Sequence, residues 1–333
     1  MLCALVCVSA VAQSSNLATE LDPDSQPRRS FQTQVATLFN SEDFRQLDQI
    51  ADSARSQKLR FLGGGWKLRA FYKILRDPGS LTATDEVWNA HIERLERWIA
   101  ASPNSSAPRI ALAGTYVVFA WKARGNGPGS TVTSEGQKLF YERVQKARDT
   151  LDEAKSISAI DAQWFVEMET IGLAQGWDRD KMEKLVQDAG SVEPEYFYTY
   201  DQYVYYLLPR WYGKPGEAEE FLKSVSDQIG GAEGDSIYFQ IAMDLNCCRP
   251  TAWMPNVSWD RVKQGFAATE KLYGITNQQL NAFAFMAVRQ GDSETAEQLF
   301  ARIGDNWDQD VWGGKPRFDR SKATLSLAKP LEP

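Results

Sequence analysis

The stretch "GEAEEFLKSV", residues 216–225, decides the fold class. Ala218, Phe221, Leu222 and Val225 stand at i, i+3, i+4 and i+7, so in a helix they share one face. Glu219 and Glu220 lie between them and Glu217 just before, and all three face elsewhere. The same register returns in Ala296, Leu299, Phe300 and Ile303, in Met182, Leu185, Val186 and Ala189, and in Phe140, Arg143, Val144 and Ala147. Val262, Gly265, Phe266 and Thr269 form a looser copy. The first members fall at 140, 182, 218, 262 and 296, a mean spacing of 39 residues, and earlier candidates begin at Trp88 and Phe44. A repeat of about this length is what two packed helices and two turns occupy.

The segments before these registers are helical in pattern too: "IALAGTYVVFAWKA" (110–123), "QWFVEMETIGLAQ" (163–175) and "QLNAFAFMAVRQ" (279–290). They stop at Gly125, Gly176 and Gly291, where glycine takes the left-handed conformation that ends a helix without steric cost. Ser134 with Gln137 has the spacing of a capping box at the next helix start. No run shows the period-2 alternation of a strand. The expected fold is therefore all-α, with consecutive antiparallel helix pairs over residues 31–303.

"NAFAFMAVRQGDSETAEQLFARI", residues 281–303, resembles a tetratricopeptide-type (TPR-like) helix pair: small and aromatic residues on the first helix, a Gly-Asp turn, then A-x-x-L-F on the second. The likeness is fair over 178–229 and weak upstream, and the 34-residue period of that family is not kept. It implies a divergent TPR-like α-solenoid of stacked antiparallel helix pairs. "GGWKLRAFYKIL" (64–75), "FAWKARGNG" (119–127) and "YYLLPRWYG" (205–213) are together similar to an exported bacterial family known only as a domain of unknown function. That resemblance carries no activity with it.

"YFYTYDQYVYYLLPRW", residues 196–211, holds six tyrosines. On a helical wheel Tyr196, Phe197, Tyr200, Tyr203, Val204, Leu207 and Leu208 form one broad stripe, which is expected to be core. Pro209 ends the helix, since it lacks an amide donor and disfavours helical geometry at Leu208. Tyr198, Gln202 and Tyr205 stand at i, i+4 and i+7 on the other side, with Tyr206 beside them. In an array of two-helix repeats the first helix of each pair lines a concave surface, so these four are the candidate binding residues. Tyrosine offers a large contact area and a polar tip at low entropy cost. Packing against a neighbouring loop is the competing reading.

Composition narrows the function. The chain has 333 residues, a formal net charge of −7 and no basic tract, which argues against broad binding to nucleic acid or an anionic membrane. The start, "MLCALVCVSAVAQSS", carries an apolar run and an Ala-Val-Ala sequence before Gln13, the pattern of a secretory cleavage site, although no basic residue precedes the run. The run is too short to span a bilayer. Expected organisation is a signal peptide at 1–12, a flexible leader at 13–30, a helical-repeat domain at 31–310 and a C-terminal extension at 311–333, in a secreted or periplasmic protein. Removing the first twelve residues leaves Cys247 and Cys248, expected to be structural thiols in a protein that is no disulfide scaffold.

No catalytic constellation is recognisable. His91 is the one histidine, on an amphipathic helix, and reads as structural. Gly125, Gly127 and Gly129 do not make a nucleotide-binding fingerprint, and Gly63–Gly65 reads as a turn. Glu167 with Glu169, and Glu193 with Glu195, are too close in sequence to face one another on a helix. Asn104 and Asn256 stand in glycosylation sequons, relevant only in a eukaryotic secretory route. No cofactor or metal is implied, and catalytic residues stay unassigned. The leading expectation is an exported helical-repeat protein that binds a protein or peptide partner in a concave groove. The alternative is an all-α carbohydrate-binding or carbohydrate-active protein that uses Trp/Tyr stacking and paired acids.

Overall fold

The computed structural model describes residues 23–125, 127–157, 161–248 and 257–327. The expected signal peptide, residues 1–12, lies outside these residues, as do the sequon residue Asn256 and the side chains of Cys247 and Cys248. The described chain is all-helical. No strand occurs among the described residues, and one isolated antiparallel bridge joins Arg60 and Trp66.

The α-helices run in chain order as α1 (Gln26–Asn40), α2 (Phe44–Ser56), α3 (Lys67–Leu75), α4 (Asp85–Ala101), α5 (Ala107–Arg124), α6 (Ser134–Ile157), α7 (Ala162–Gln175) and α8 (Arg179–Val192). They continue as α9 (Tyr198–Tyr206), α10 (Glu217–Ile229), α11 (Gly231–Cys248), α12 (Trp259–Tyr273), α13 (Asn277–Gln290), α14 (Ser293–Ile303), α15 (Gln309–Trp312) and α16 (Lys315–Leu327). The chain divides into two compact units. Among the described residues the first holds 27–61 and 65–225, and the second holds 23–26, 62–64, 226–248 and 257–327. The division falls within α10, after Val225.

The repeated register is the core. Met182, Leu185, Val186 and Ala189 are buried, as are Val262, Gly265, Phe266 and Thr269, and Ala296, Leu299, Phe300 and Ile303. Trp88 and Phe44 begin buried faces of α4 and α2 as expected. Two register residues depart. Arg143 lays its guanidinium 3.2 Å from the Phe119 ring centroid and donates to the Phe119 carbonyl, so the position is filled by a stem and a flat cation rather than by hydrocarbon. Phe221 is half-buried, with its ring edge-on to Tyr203 at 4.7 Å, whereas Leu222 beside it is fully enclosed.

In the first unit α2 packs on α3, and from α4 to α9 each helix packs on the next; α3, α5, α7 and α9 also touch one another as alternate elements: α3 on α5 and α7, α5 on α7, α7 on α9. These helices form an inner layer. Their burial is nearly all round: on α7 every residue from Ala162 to Glu169 is buried. The α5–α6 pair is antiparallel, since Phe119 meets Arg143 and Ala123 meets Gly136. In the second unit α11 and α12 are antiparallel as well, with Ser236 bonded to Thr269, Phe239 against Phe266, and Glu233 accepting from Tyr273.

Two boundary expectations change, at the leader and at the start of α6. The leader expected at 13–30 is helical from Gln26, because Val35 and Phe39 give α1 an apolar face to bury. Within the C-terminal extension the described residues, up to Leu327, are largely helical, with Trp312 and Phe318 packed against Phe300 and the Trp312 indole donating to Asn281. The cap of α6 is Thr133, whose hydroxyl accepts from the Gly136 amide, rather than a Ser134–Gln137 box. A reciprocal capping box does form at Thr276 and Gln279 on α13. Among the described residues no helix is long and apolar enough to cross a membrane.

Gly265 explains the looser copy of the register. A Cβ there would sit 2.2 Å from the Asp235 carbonyl oxygen and 2.7 Å from Phe239 Cβ, so its absence lets α11 and α12 close. Gly265→Ala is expected to cost about 1–3 kcal/mol, the usual penalty of overpacking. A lowered urea midpoint checks it, and a midpoint equal to wild type would contradict the close approach.

Candidate functional site

Helix α9 starts without a side-chain cap and ends as Pro209 approaches. It is held instead by its stripe. Tyr196, Phe197, Tyr200, Tyr203, Val204, Leu207 and Leu208 are all buried, as the helical wheel predicts. Burial lifts the Tyr200 phenol to about 12, with the charges of Glu169 and Glu193 adding to it.

Three of the four candidate binding residues are half-buried on the opposite side: Tyr198, Gln202 and Tyr205. Positions 198 and 205 are two turns apart, roughly 10 Å along the axis. Tyr198 is more embedded than a purely groove-facing residue. Its ring lies 4.0 Å from Phe197 and 5.2 Å from Tyr196, and its hydroxyl accepts from the Trp66 amide at 3.4 Å. The Arg69 guanidinium stands over it at 5.3 Å. Tyr205 has a matching companion, Arg210 at 4.8 Å, and the Trp211 ring at 5.7 Å. Each tyrosine of the row is therefore paired with a cation.

Tyr206 does not join this row. It is 2 % exposed, it donates to the Trp177 carbonyl, and its ring stacks on Tyr203 and Tyr212. Residue 206 is three after Tyr203, which places it at the edge of the packed stripe. The chain after Pro209 folds back and lays Tyr212 over it.

Behind the row lies a buried polar chain on α7. Asp161 caps the helix by accepting from the Gln163 amide at 2.8 Å, and its other oxygen accepts from Tyr72 at 2.7 Å. The Tyr196 hydroxyl donates to Gln163 Oε1 at 2.7 Å, and Gln163 Nε2 donates to Glu167 Oε1 at 2.6 Å. Glu167 then faces Arg69 at 3.9 Å. Each link fixes the next, so the Glu167 carboxylate has a set orientation.

Glu167 and Glu169 point apart, as their spacing requires. Glu169 is fully buried and neither carboxyl oxygen has a hydrogen-bond partner. Burial pushes its pKa well above the usual carboxylate range, and the Asp201 charge adds to the rise. His91 is structural: its Nε2 lies 2.7 Å from the Leu75 carbonyl, and burial lowers its pKa. Among the described residues no cluster of three or more His, Cys, Asp or Glu side chains could hold a metal ion.

The sequence reading missed Arg69, Arg76, Gln163 and Arg210. The two arginines of "RAFYKILR" stand seven residues apart, the spacing of one helix face, and that was the available signal. Arg210 sits outside the helix, where periodicity says nothing.

Glu169 makes stability depend on pH. A raised folded pKa means that the folded chain holds this proton more tightly than the unfolded chain. The contribution is full below the ordinary carboxylate value and falls as pH rises toward the folded one, by about 1.4 kcal/mol per pH unit for one proton. Glu169→Gln is expected to remove that slope and to stabilise the protein at pH 7. Urea midpoints of both proteins from pH 4 to 8 test this, and parallel profiles would refute it.

Residues 180–237 match the family model described as Domain of unknown function (DUF4034). The match takes in α9, the tyrosine row and the segment "YYLLPRWYG"; "GGWKLRAFYKIL" and "FAWKARGNG" lie outside it. No curated protein matches the chain.

Proposed function

We propose that this chain is a TPR-like helical-repeat protein that binds a segment of a protein or peptide partner along the exposed side of α9. One observation carries the reading: on a helix otherwise packed into the core, Tyr198, Gln202 and Tyr205 stay half-exposed in one row with Asp201 at its edge, and Arg69 and Arg210 flank the two rings. Amphipathic aromatic rings with adjacent guanidinium groups are the residue types that anchor interfaces. A helix on the inner layer of an array presents such a row toward a groove in proteins of repeat architecture. Gln202 between the rings supplies both a donor and an acceptor, which suits the backbone of a bound segment.

The test uses the full chain as bait for the extracellular or envelope fraction of its own cell. A Tyr205→Ala, Gln202→Ala double variant is expected to lose at least tenfold of the captured partner while keeping the far-ultraviolet circular dichroism of wild type. Equal capture by both baits, or capture of cell-wall glycan in place of protein, would overturn the reading.

The same proposal includes export. "SAVAQ" at 9–13 supplies small residues before a polar one, the cleavage pattern of a secretory signal. Mass spectrometry of secreted or periplasmic material is expected to find an N-terminus near Gln13. Recovery of uncleaved chain from the cytoplasm alone would refute it.

A further inference from the structure

Arg69 and Arg76 lie on one face of α3 and its C-terminal cap, seven residues and two turns apart. Both look toward the same carboxylate. Arg69 Nη1 is 3.9 Å from Glu167 Oε1, beyond hydrogen-bond reach. Glu167 Oε1 is already occupied by Gln163 at 2.6 Å. Arg76 Nε is buried with no acceptor, and Glu167 and Asp77 act on this guanidinium through charge alone. Burial, and after it the charge of Arg69, lowers the Arg76 pKa from its ordinary value. A buried guanidinium donor left unmade costs more than an ordinary hydrogen bond contributes.

The surroundings show where an acceptor would enter. Arg69 is one-quarter exposed, so solvent reaches the pair from its side. Arg69 also stands over Tyr198, the first ring of the proposed binding row. Gly114 on α5 carries no side chain where Glu167 and Arg76 come together: a Cβ there would lie 3.4 Å from Glu167 Cδ and 3.5 Å from Arg76 Cβ. The polar chain from Tyr196 through Gln163 holds Glu167 back against α7. Two cations therefore share one anchored anion, and their unused donors suit an oxyanion better than any neutral acceptor.

We propose that Arg69 and Arg76 form a carboxylate-binding subsite at the Tyr198 end of the α9 row, and that the segment bound there is acidic. The inference rests on the binding function proposed for that row and names the chemical class of its ligand. Arg69 would take the carboxylate first, from the open side. Arg76 would supply the second donor through Nε, and Glu167 would keep both guanidinium planes in place. Binding would weaken as salt rises, because the subsite adds a charge pair at a partly exposed position.

The experiment follows the arginine side-chain Nε–H resonances of the full ¹⁵N-labelled chain. The probes are an N-acetylated, C-amidated tetraglutamate, the matching tetraglutamine, and inorganic phosphate. Tetraglutamate is expected to shift the Arg69 and Arg76 resonances, tetraglutamine to leave them unmoved, and Arg69→Gln to weaken tetraglutamate binding at least tenfold. Arg69 is partly exposed, so this variant keeps the test open should Arg76→Gln fail to fold. An unmoved pair of resonances with tetraglutamate overturns the proposal, and so does a response to phosphate alone, which would assign the site to a free anion. Failure of the partner-capture experiment with a retained tetraglutamate response would fault the row on α9 and not the subsite. Tyrosine-dependent capture with unmoved arginines would fault the subsite alone.

Discussion

The enclosure of α7 is the constraint on which the first unit depends. Helices α3, α5, α6, α8 and α9 all pack against it, and its first eight residues are buried without interruption. Along that stretch the helix cannot send a polar side chain to water. Every polar group on it must find an internal partner or go without one, at the cost of its desolvation. Asp161, Gln163, Glu167 and Glu169 show the range of outcomes. The first three are linked into a bonded chain with Tyr72 and Tyr196, and the fourth is bonded to nothing.

That chain has a consequence at the surface. Because Gln163 holds Glu167 toward α7, the carboxylate stops short of Arg69 and leaves the arginines of α3 only partly compensated. The same α3 arginine then covers Tyr198 on α9. Elements far apart in sequence, at 69, 167 and 198, therefore meet through one anchored side chain. Shortening Glu167 or turning it would change the charge seen at the binding row without touching the row itself. The architecture joins interior hydrogen bonding to surface chemistry in a way that no single helix could.

The aromatic content of the chain serves mainly this interior. Trp66, Trp88, Trp98 and Trp312 are among its largest fully buried side chains, and several pack in pairs with Phe or Tyr, such as Trp88 with Phe119 and Trp66 with Tyr196. Large flat rings fill the space between inner helices whose own faces carry small residues, as on α5 with Ala111, Ala113, Gly114 and Ala120. In the second unit the same economy appears as Gly265 against Phe239, and as the α14–α16 cluster around Trp312 and Phe318. The tyrosine-rich segment is an instance of this rule, with a short row of exceptions.

The helices, their registers and the packed stripe of α9 were legible in the sequence, because 3.6-residue periodicity is a local property and each helix records which face it buries. Met182, Leu185, Val186 and Ala189 could be placed in the core from spacing alone. So could the half-exposed side of Tyr198, Gln202 and Tyr205. Helix ends were less legible: Thr133 took the cap foreseen for Ser134, and α1 began inside the expected leader, since the choice between neighbouring caps turns on contacts elsewhere. The burial of Tyr206, and what the arginines meet, were decided by tertiary structure alone. Periodicity says nothing about a chain that reverses after Pro209 and lays Tyr212 on Tyr206. Nor does it show that Gln163 will draw Glu167 away from Arg69. Those outcomes depend on distances between helices distant in sequence, and only the packed fold sets such distances.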